Sequence, residues 1–125
     1  IKEKIKMMYT DPLHVKVEDP GHLEGNVPFI YLRALSTEQH FKDFLPDYKN
    51  LTELEEHYTR GGLGDGTVKK FLTQIMLDII SPIYERRLEL QKNMKLVTDL
   101  LHEGTMNARK VAEQNIQEIR EVIFK

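Results

Sequence analysis

The stretch Val68-Lys69-Lys70-Phe71-Leu72-Thr73-Gln74-Ile75-Met76-Leu77-Asp78-Ile79-Ile80-Ser81-Pro82-Ile83 decides the fold. Val68, Leu72, Ile75, Ile79 and Ile83 recur at i, i+4, i+7, i+11 and i+15, and Phe71, Met76 and Ile80 widen the stripe. That is the period of a helix, not the two-residue period of a strand. The spacing predicts a long helix from near Asp65 or Thr67 to about Gln91. Pro82 lies inside it, removes one backbone hydrogen bond and crowds the Asp78 carbonyl, so a kink is expected there rather than a stop. The pattern recovers through Tyr84, Leu88 and Leu90.

Working toward the N-terminus, Gly61-Gly62 should end a helix that carries Leu51, Leu54 and Tyr58 on one face. Asn50, with Glu53 three residues on, is its cap. Phe41, Phe44 and Leu45 give a shorter helix its apolar side. Ser36 with Gln39 has capping-box spacing at its start, and Pro46 ends it. Asn26 is an N-cap candidate for a helix over Phe29 to Leu35, with Pro28 in its first turn. Residues 11–27 read as irregular, with Asp19-Pro20-Gly21-His22 suited to a type II turn. Val15-Lys16-Val17 is at most a short extended piece without a pairing strand. Ile1, Ile5 and Met8 predict an opening helix that stops near Thr10, since Pro12 disfavours helical backbone at Asp11.

Toward the C-terminus, Asn93 caps a helix bearing Leu96, Val97, Leu100 and Leu101. Gly104-Thr105 should end it and start a last helix with Ala108, Ala112, Ile116, Ile119 and Ile123 on one face. The expected fold is all-α, one compact helical bundle with a long, Pro-kinked central helix. Residues 1–125 form a single helical unit in this reading.

A chain of 125 residues buries roughly two-thirds of its unfolded surface on folding, enough for a core without staples. The absence of cysteine removes disulfides and Cys-ligated zinc or iron–sulfur centres. With 40% hydrophobic and 30% charged residues the composition is that of a folded domain rather than a disordered one. No apolar stretch approaches the length of a membrane span, and Ile1–Met8, alternating Lys with apolar residues, does not read as a signal peptide. The first residue is Ile, and the chain reads as a piece of a longer protein.

The net charge of −2 is uneven. Residues 60–95 hold seven Lys/Arg against four Asp/Glu, while the flanking segments are net acidic. Within that basic segment, Arg60, Lys69 and Lys70 surround the glycine loop Gly61-Gly62-Leu63-Gly64-Asp65-Gly66. Loop amides and a helix N-terminus favour anions, so these residues are candidates for gripping a backbone phosphate of RNA or DNA. The plainer account is a flexible connection followed by a solvated basic face. Neither the dinucleotide fingerprint nor the P-loop pattern is met, because no strand precedes the loop. Arg87, near the apolar stripe, is expected to pair with a carboxylate or a helix end.

Other chemistry is sparse. The five histidines show no i, i+4 pair, and His22 with Glu24 reads as surface loop rather than metal site. Glu55-Glu56 most simply faces water. Phe41, Phe44, Tyr48 and Tyr58 could stack on bases, but their helical spacing marks them as core. No catalytic residue and no metal ligand is assigned.

Taken in order, Gly61-Gly62-Leu63-Gly64 … Lys69-Lys70-Phe71-Leu72, Ser81-Pro82-Ile83-Tyr84-Glu85-Arg86-Arg87 and Leu101-His102-Glu103-Gly104 … Ala108-Arg109 … Ala112 … Ile119-Arg120 resemble the C-terminal end of bacterial tryptophanyl-tRNA synthetases. Lys4-Ile5-Lys6 … Thr10-Asp11-Pro12, then Asp19-Pro20-Gly21 and Asn26, resemble the segment after that family's second catalytic signature. The resemblance covers essentially the whole chain. It implies part of a cytoplasmic class I ligase that joins tryptophan to its tRNA, using ATP with magnesium. It implies a homodimeric parent, tRNA as partner and no membrane.

Neither of the family's two catalytic motifs occurs here, so the resemblance implies a helical, anticodon-binding part without ligase activity of its own. Residues 1–27 would join it to the catalytic domain. Where some members carry cluster-binding cysteines, this chain has Asp65 and Val68. Two other readings stay open: a helical protein-interaction module with a solvated basic face, and the equivalent part of a tyrosine-specific synthetase. A missing domain would leave Ile1, Ile5, Met8, Ile119, Val122 and Ile123 exposed.

Overall fold

The computed structural model describes residues 1–124, and those residues form six helices and no strand. They are α1 (Lys2–Lys6), α2 (Val27–Leu35), α3 (Glu38–Phe44), α4 (Leu51–Arg60), α5 (Asp65–Gln91) and α6 (Met94–Ile123). The all-α class and the long helix over 65–91 are as the periodicity predicts, and the α5 helix runs through Pro82. The chain divides into two compact units, Ile1–Pro82 and Ile83–Lys125.

The core lies in the first unit. Val68, Phe71, Leu72 and Ile75 of α5 are buried, with Met76 and Ile79 packed at the edge. Phe41 of α3 meets Phe71 with ring centroids 4.7 Å apart, and Phe29 of α2 meets Tyr58 of α4 at 4.8 Å. Such tilted aromatic pairs combine large apolar burial with a favourable quadrupole arrangement. Leu32, Leu54 and Leu63 fill the space between them.

Helix ends follow from local chemistry. The Asn50 side chain accepts from the Glu53 amide at 3.0 Å and starts α4. Gly61, at φ 90°, ends it, in a conformation that glycine adopts without steric cost. Asn93 accepts from the Leu96 amide at 3.1 Å and starts α6.

Five expectations are corrected. First, α1 stops at Lys6 rather than Thr10. The Met8 amide closes back on Ile5 O at 3.1 Å, and Tyr9 O accepts from the Val27 amide at 3.2 Å, which draws the chain out of the helix. Second, Gly21 has no positive φ, so the type II turn is absent. Gly21 serves instead as a close-packing site, since a Cβ there would collide with the Tyr58 ring.

Third, Asn26 sits at the start of α2 but does not cap it, because its amide nitrogen donates to the Tyr58 hydroxyl at 3.0 Å. Fourth, the α3 cap is Thr37 with His40, one residue beyond the expected Ser36 with Gln39. Fifth, α6 runs without a break through Gly104-Thr105. A lone glycine costs a helix only about 1 kcal/mol, and the Thr105 hydroxyl donates to Leu101 O at 2.8 Å rather than starting a new helix.

In the second unit, α6 has no buried residue. Ile119, Val122 and Ile123 are exposed as expected, as is Ile1, whereas Met8 is half-buried and Ile5 is only 3% exposed. Ile5 is the anchor that seats α1 in the core. The apolar stripe of α5 also changes character along its length: Ile79 is partly buried, but Ile83 is exposed.

Candidate nucleic-acid interface

Helix α1 is five residues long and too short to persist alone in water. Ile5 fixes it, which places Lys2 and Lys6, four residues apart, on one exposed face. On α5, Val68 and Phe71 face the core, so Lys69 is left half-buried and Lys70 exposed. Between the two helices runs a groove of about 460 Å³ lined by Lys2, Lys6, Lys69 and Lys70, together with Thr73 and Gln74. None of its lining residues is acidic.

Four ammonium groups around one groove repel each other and attract anions, an effect that grows where the groove wall displaces water. Glu3 is the acid bound to this set. It lies 3.5 Å from Lys6 Nζ, with both side chains more than 70% exposed, and such a pair is worth little. Lys69 differs from the other three. Its Nζ donates to the backbone carbonyl of Lys6 at 3.1 Å.

The glycine loop is built differently from an anion cradle. The Gly62 amide donates to Val17 O at 2.6 Å, and the Gly61 amide donates to Tyr58 O at 3.3 Å. Asp65 occupies the first turn of α5 and already answers the positive end of that helix. Arg60 is exposed at the end of α4 and does not line the groove. The structure therefore brings Lys69 and Lys70 together with Lys2 and Lys6, and leaves Arg60 apart. Arg87 has no ion-pair partner among the described residues, contrary to expectation, and Arg86 pairs with Glu89 at 3.7 Å. Glu55 does not simply face water, since Arg33 Nε donates to it at 2.7 Å.

A polar network ties residues 11–26 to α4 and α5. The Tyr58 hydroxyl donates to Asp65 Oδ1 at 2.7 Å, and His14 Nδ1 lies 3.3 Å from the same oxygen. Burial first, then the Asp65 hydrogen bond and charge, pushes the Tyr58 phenol above its ordinary 10.0. Asp11 organises the loop itself: it accepts from the Leu13 amide at 2.9 Å and from the His22 amide at 2.8 Å, and His22 Nδ1 sits 2.7 Å away. Those contacts, the Leu13 bond first, hold its carboxyl below the ordinary 3.8.

Of the aromatics considered for base stacking, Phe41 and Tyr58 are buried, and Phe44 and Tyr48 are packed against the core. The exposed rings near the N-terminal half are Tyr9 and Tyr31. Spacing alone does not mark either one. Among the described residues no three His, Asp or Glu side chains are grouped to hold a metal ion. Among the described residues no helix is long and apolar enough to cross a membrane.

The chain's relatives are tRNA ligases. They are, more narrowly, tryptophan–tRNA ligases, and the resemblance read from the sequence is borne out. The chain is 46% identical to the tryptophan–tRNA ligase of Clostridium longisporum over 123 residues, which is 98% of this chain and 33% of that protein. It is 42% identical to that of Streptococcus agalactiae serotype V over 120 residues, and 41% identical to that of Lactococcus lactis subsp. lactis over 120 residues. Each of those matches covers 96% of this chain and 33% of the relative. The chain thus spans about a third of the length of the curated relatives it matches. No protein-family model matches the chain.

Proposed function

We propose that the chain is the tRNA-recognising C-terminal part of a tryptophan–tRNA ligase, an enzyme that attaches tryptophan to its tRNA using ATP with magnesium. In this reading residues 1–125 form the helical anticodon-binding unit, and residues 1–27 join it to a catalytic domain. The observation that supports it most is the four-lysine groove between α1 and α5, present in a chain whose relatives are named for tRNA.

The chemistry of activation belongs to the rest of the enzyme. The described residues offer no metal-ligand cluster, and the Gly61 and Gly62 amides are already spent. In this reading ATP, magnesium and tryptophan belong to the catalytic domain, because neither catalytic motif of the resembling family occurs in this chain, and this chain alone is inactive. A homodimeric parent is part of the same reading. The relatives named above all act on tryptophan by name, which favours that amino acid over tyrosine.

Fluorescence anisotropy with labelled tryptophan-specific tRNA tests the proposal. The purified chain should bind at 50 mM salt and weaken steeply by 200 mM. In the full-length enzyme, Lys69→Ala with Lys70→Ala should raise the tRNA KM and leave tryptophan-dependent pyrophosphate exchange unchanged. A chain without tRNA affinity at 50 mM salt overturns the proposal and leaves a protein-interaction module.

A further inference from the structure

We infer that the lysines of the groove divide into two roles: Lys2, Lys6 and Lys70 meet RNA backbone phosphates, whereas Lys69 is a positioning residue that locks α1 against α5. The inference rests on the RNA reading above and adds α1 to the contact surface.

The division follows from what each ammonium group already does. Lys70 is exposed and has no hydrogen-bond or ion-pair partner among the described residues. Lys2 is likewise unpartnered. Lys6 is held only by the exposed Glu3 pair, which a phosphate in the groove can displace. Lys69 Nζ, by contrast, is committed to the Lys6 carbonyl, a bridge between positions 63 apart in the chain.

That carbonyl belongs to the last helical residue of α1 and has no partner inside the helix. Burial of Ile5 fixes the middle of α1, and the Lys69 bond fixes its end. A five-residue helix cannot hold its own register, so Lys2 and Lys6 stay on the groove only while α1 stays on α5. Lys69 therefore acts on RNA through the placement of Lys2 and Lys6.

The test measures affinity for unfractionated tRNA against salt, alongside amide exchange, in the 125-residue chain. Each lost phosphate contact should lower the slope of log affinity against log salt by about 0.7–0.9. Lys70→Gln should lose one such step, and Lys2→Gln with Lys6→Gln should lose two. Lys69→Met should accelerate exchange of the Met7 amide, which donates to Glu3 O at the end of α1, and should reduce the slope with it. Lys69→Arg, which can still donate to the carbonyl, should restore both.

An unchanged slope in the Lys2/Lys6 variant overturns the inference while the RNA reading stands. So does a slope loss in Lys69→Met with Met7 exchange at the wild-type rate, since Lys69 would then touch phosphate directly. Absence of tRNA binding by the unaltered chain removes the RNA reading and this inference together.

Discussion

The Tyr58 hydroxyl donates to Asp65 Oδ1 at 2.7 Å while accepting from Asn26 Nδ2 at 3.0 Å. The 11–26 loop, α4 and the start of α5 thus converge on one phenol, with Asn26 reaching it from 32 residues away. Tyr58→Phe keeps the packing against Phe29 but removes the short bond of the buried Asn26 amide, leaving it only His22 O at 3.4 Å, and takes one of two partners from Asp65 Oδ1. Leaving buried polar groups unpaired costs about 1–3 kcal/mol. Urea unfolding of Tyr58→Phe against the unaltered chain at pH 7 should show a loss of that size.

The same phenol sets an alkaline limit on stability. Its folded pKa lies above the ordinary 10.0, so the folded state keeps the proton where the unfolded state gives it up. The unfolded state then binds fewer protons, and stability must fall as pH rises past about 10. The Tyr58 contribution is fully present below that pH. Unfolding midpoints measured from pH 8 to 11.5 should drop for the unaltered chain, and drop less steeply for Tyr58→Phe.

Two glycines should respond in opposite directions. Gly21→Ala drives a methyl group into the Tyr58 ring, beside the bond from the Gly21 amide to Tyr58 O at 3.0 Å. Overpacking of this kind costs about 1–3 kcal/mol. Gly104 lies inside α6 with open space around it, so Gly104→Ala should favour that helix by about 0.5–1 kcal/mol. Thermal unfolding followed by circular dichroism reads the first, and residual helicity at intermediate temperature reads the second.

The exposed apolar face of α6 should drive self-association. Ile119, Val122 and Ile123 are 56–79% exposed and recur at helical spacing. Contiguous patches of this kind promote association of otherwise monomeric chains. Sedimentation velocity at several concentrations should show a weight-average mass that rises with concentration. Ile119→Glu with Ile123→Glu should return it toward the monomer value.

Activation chemistry should be absent. Purified chain incubated with tryptophan, ATP and magnesium should give no pyrophosphate exchange above a no-protein control. Tryptophan-dependent turnover would refute the assignment of that chemistry to another domain.

What the sequence made legible was whatever local pattern decides. The stripe Val68, Leu72, Ile75 placed α5, and Asn50 with Gly61 bracketed α4. Gly21, Asn26 and Ser36 were misread for a common reason: each carries a generic turn or cap preference, and tertiary or neighbouring partners outweighed it. Tyr58, 32 residues beyond Asn26, claims the side chain that would have capped α2. The candidate site was half legible. Lys69 and Lys70 stood out beside the glycine loop, but Lys2 and Lys6 lie more than 60 positions away, and only the docking of α1 through Ile5 brings them to the same groove. Arg60 was drawn in by proximity along the chain, which the turn after α4 does not preserve in space.

A helix without a single buried residue also fixes the order in which the chain is digested. No buried side chain anchors α6, so its peptide bonds reach an extended, cleavable form at low free-energy cost. The first unit must break its aromatic core to do the same. Trypsin acting on the native chain will therefore cut after Lys95, Arg109, Lys110 and Arg120 while the bond after Lys69 is spared, and the resistant remnant will be the portion that carries the basic groove.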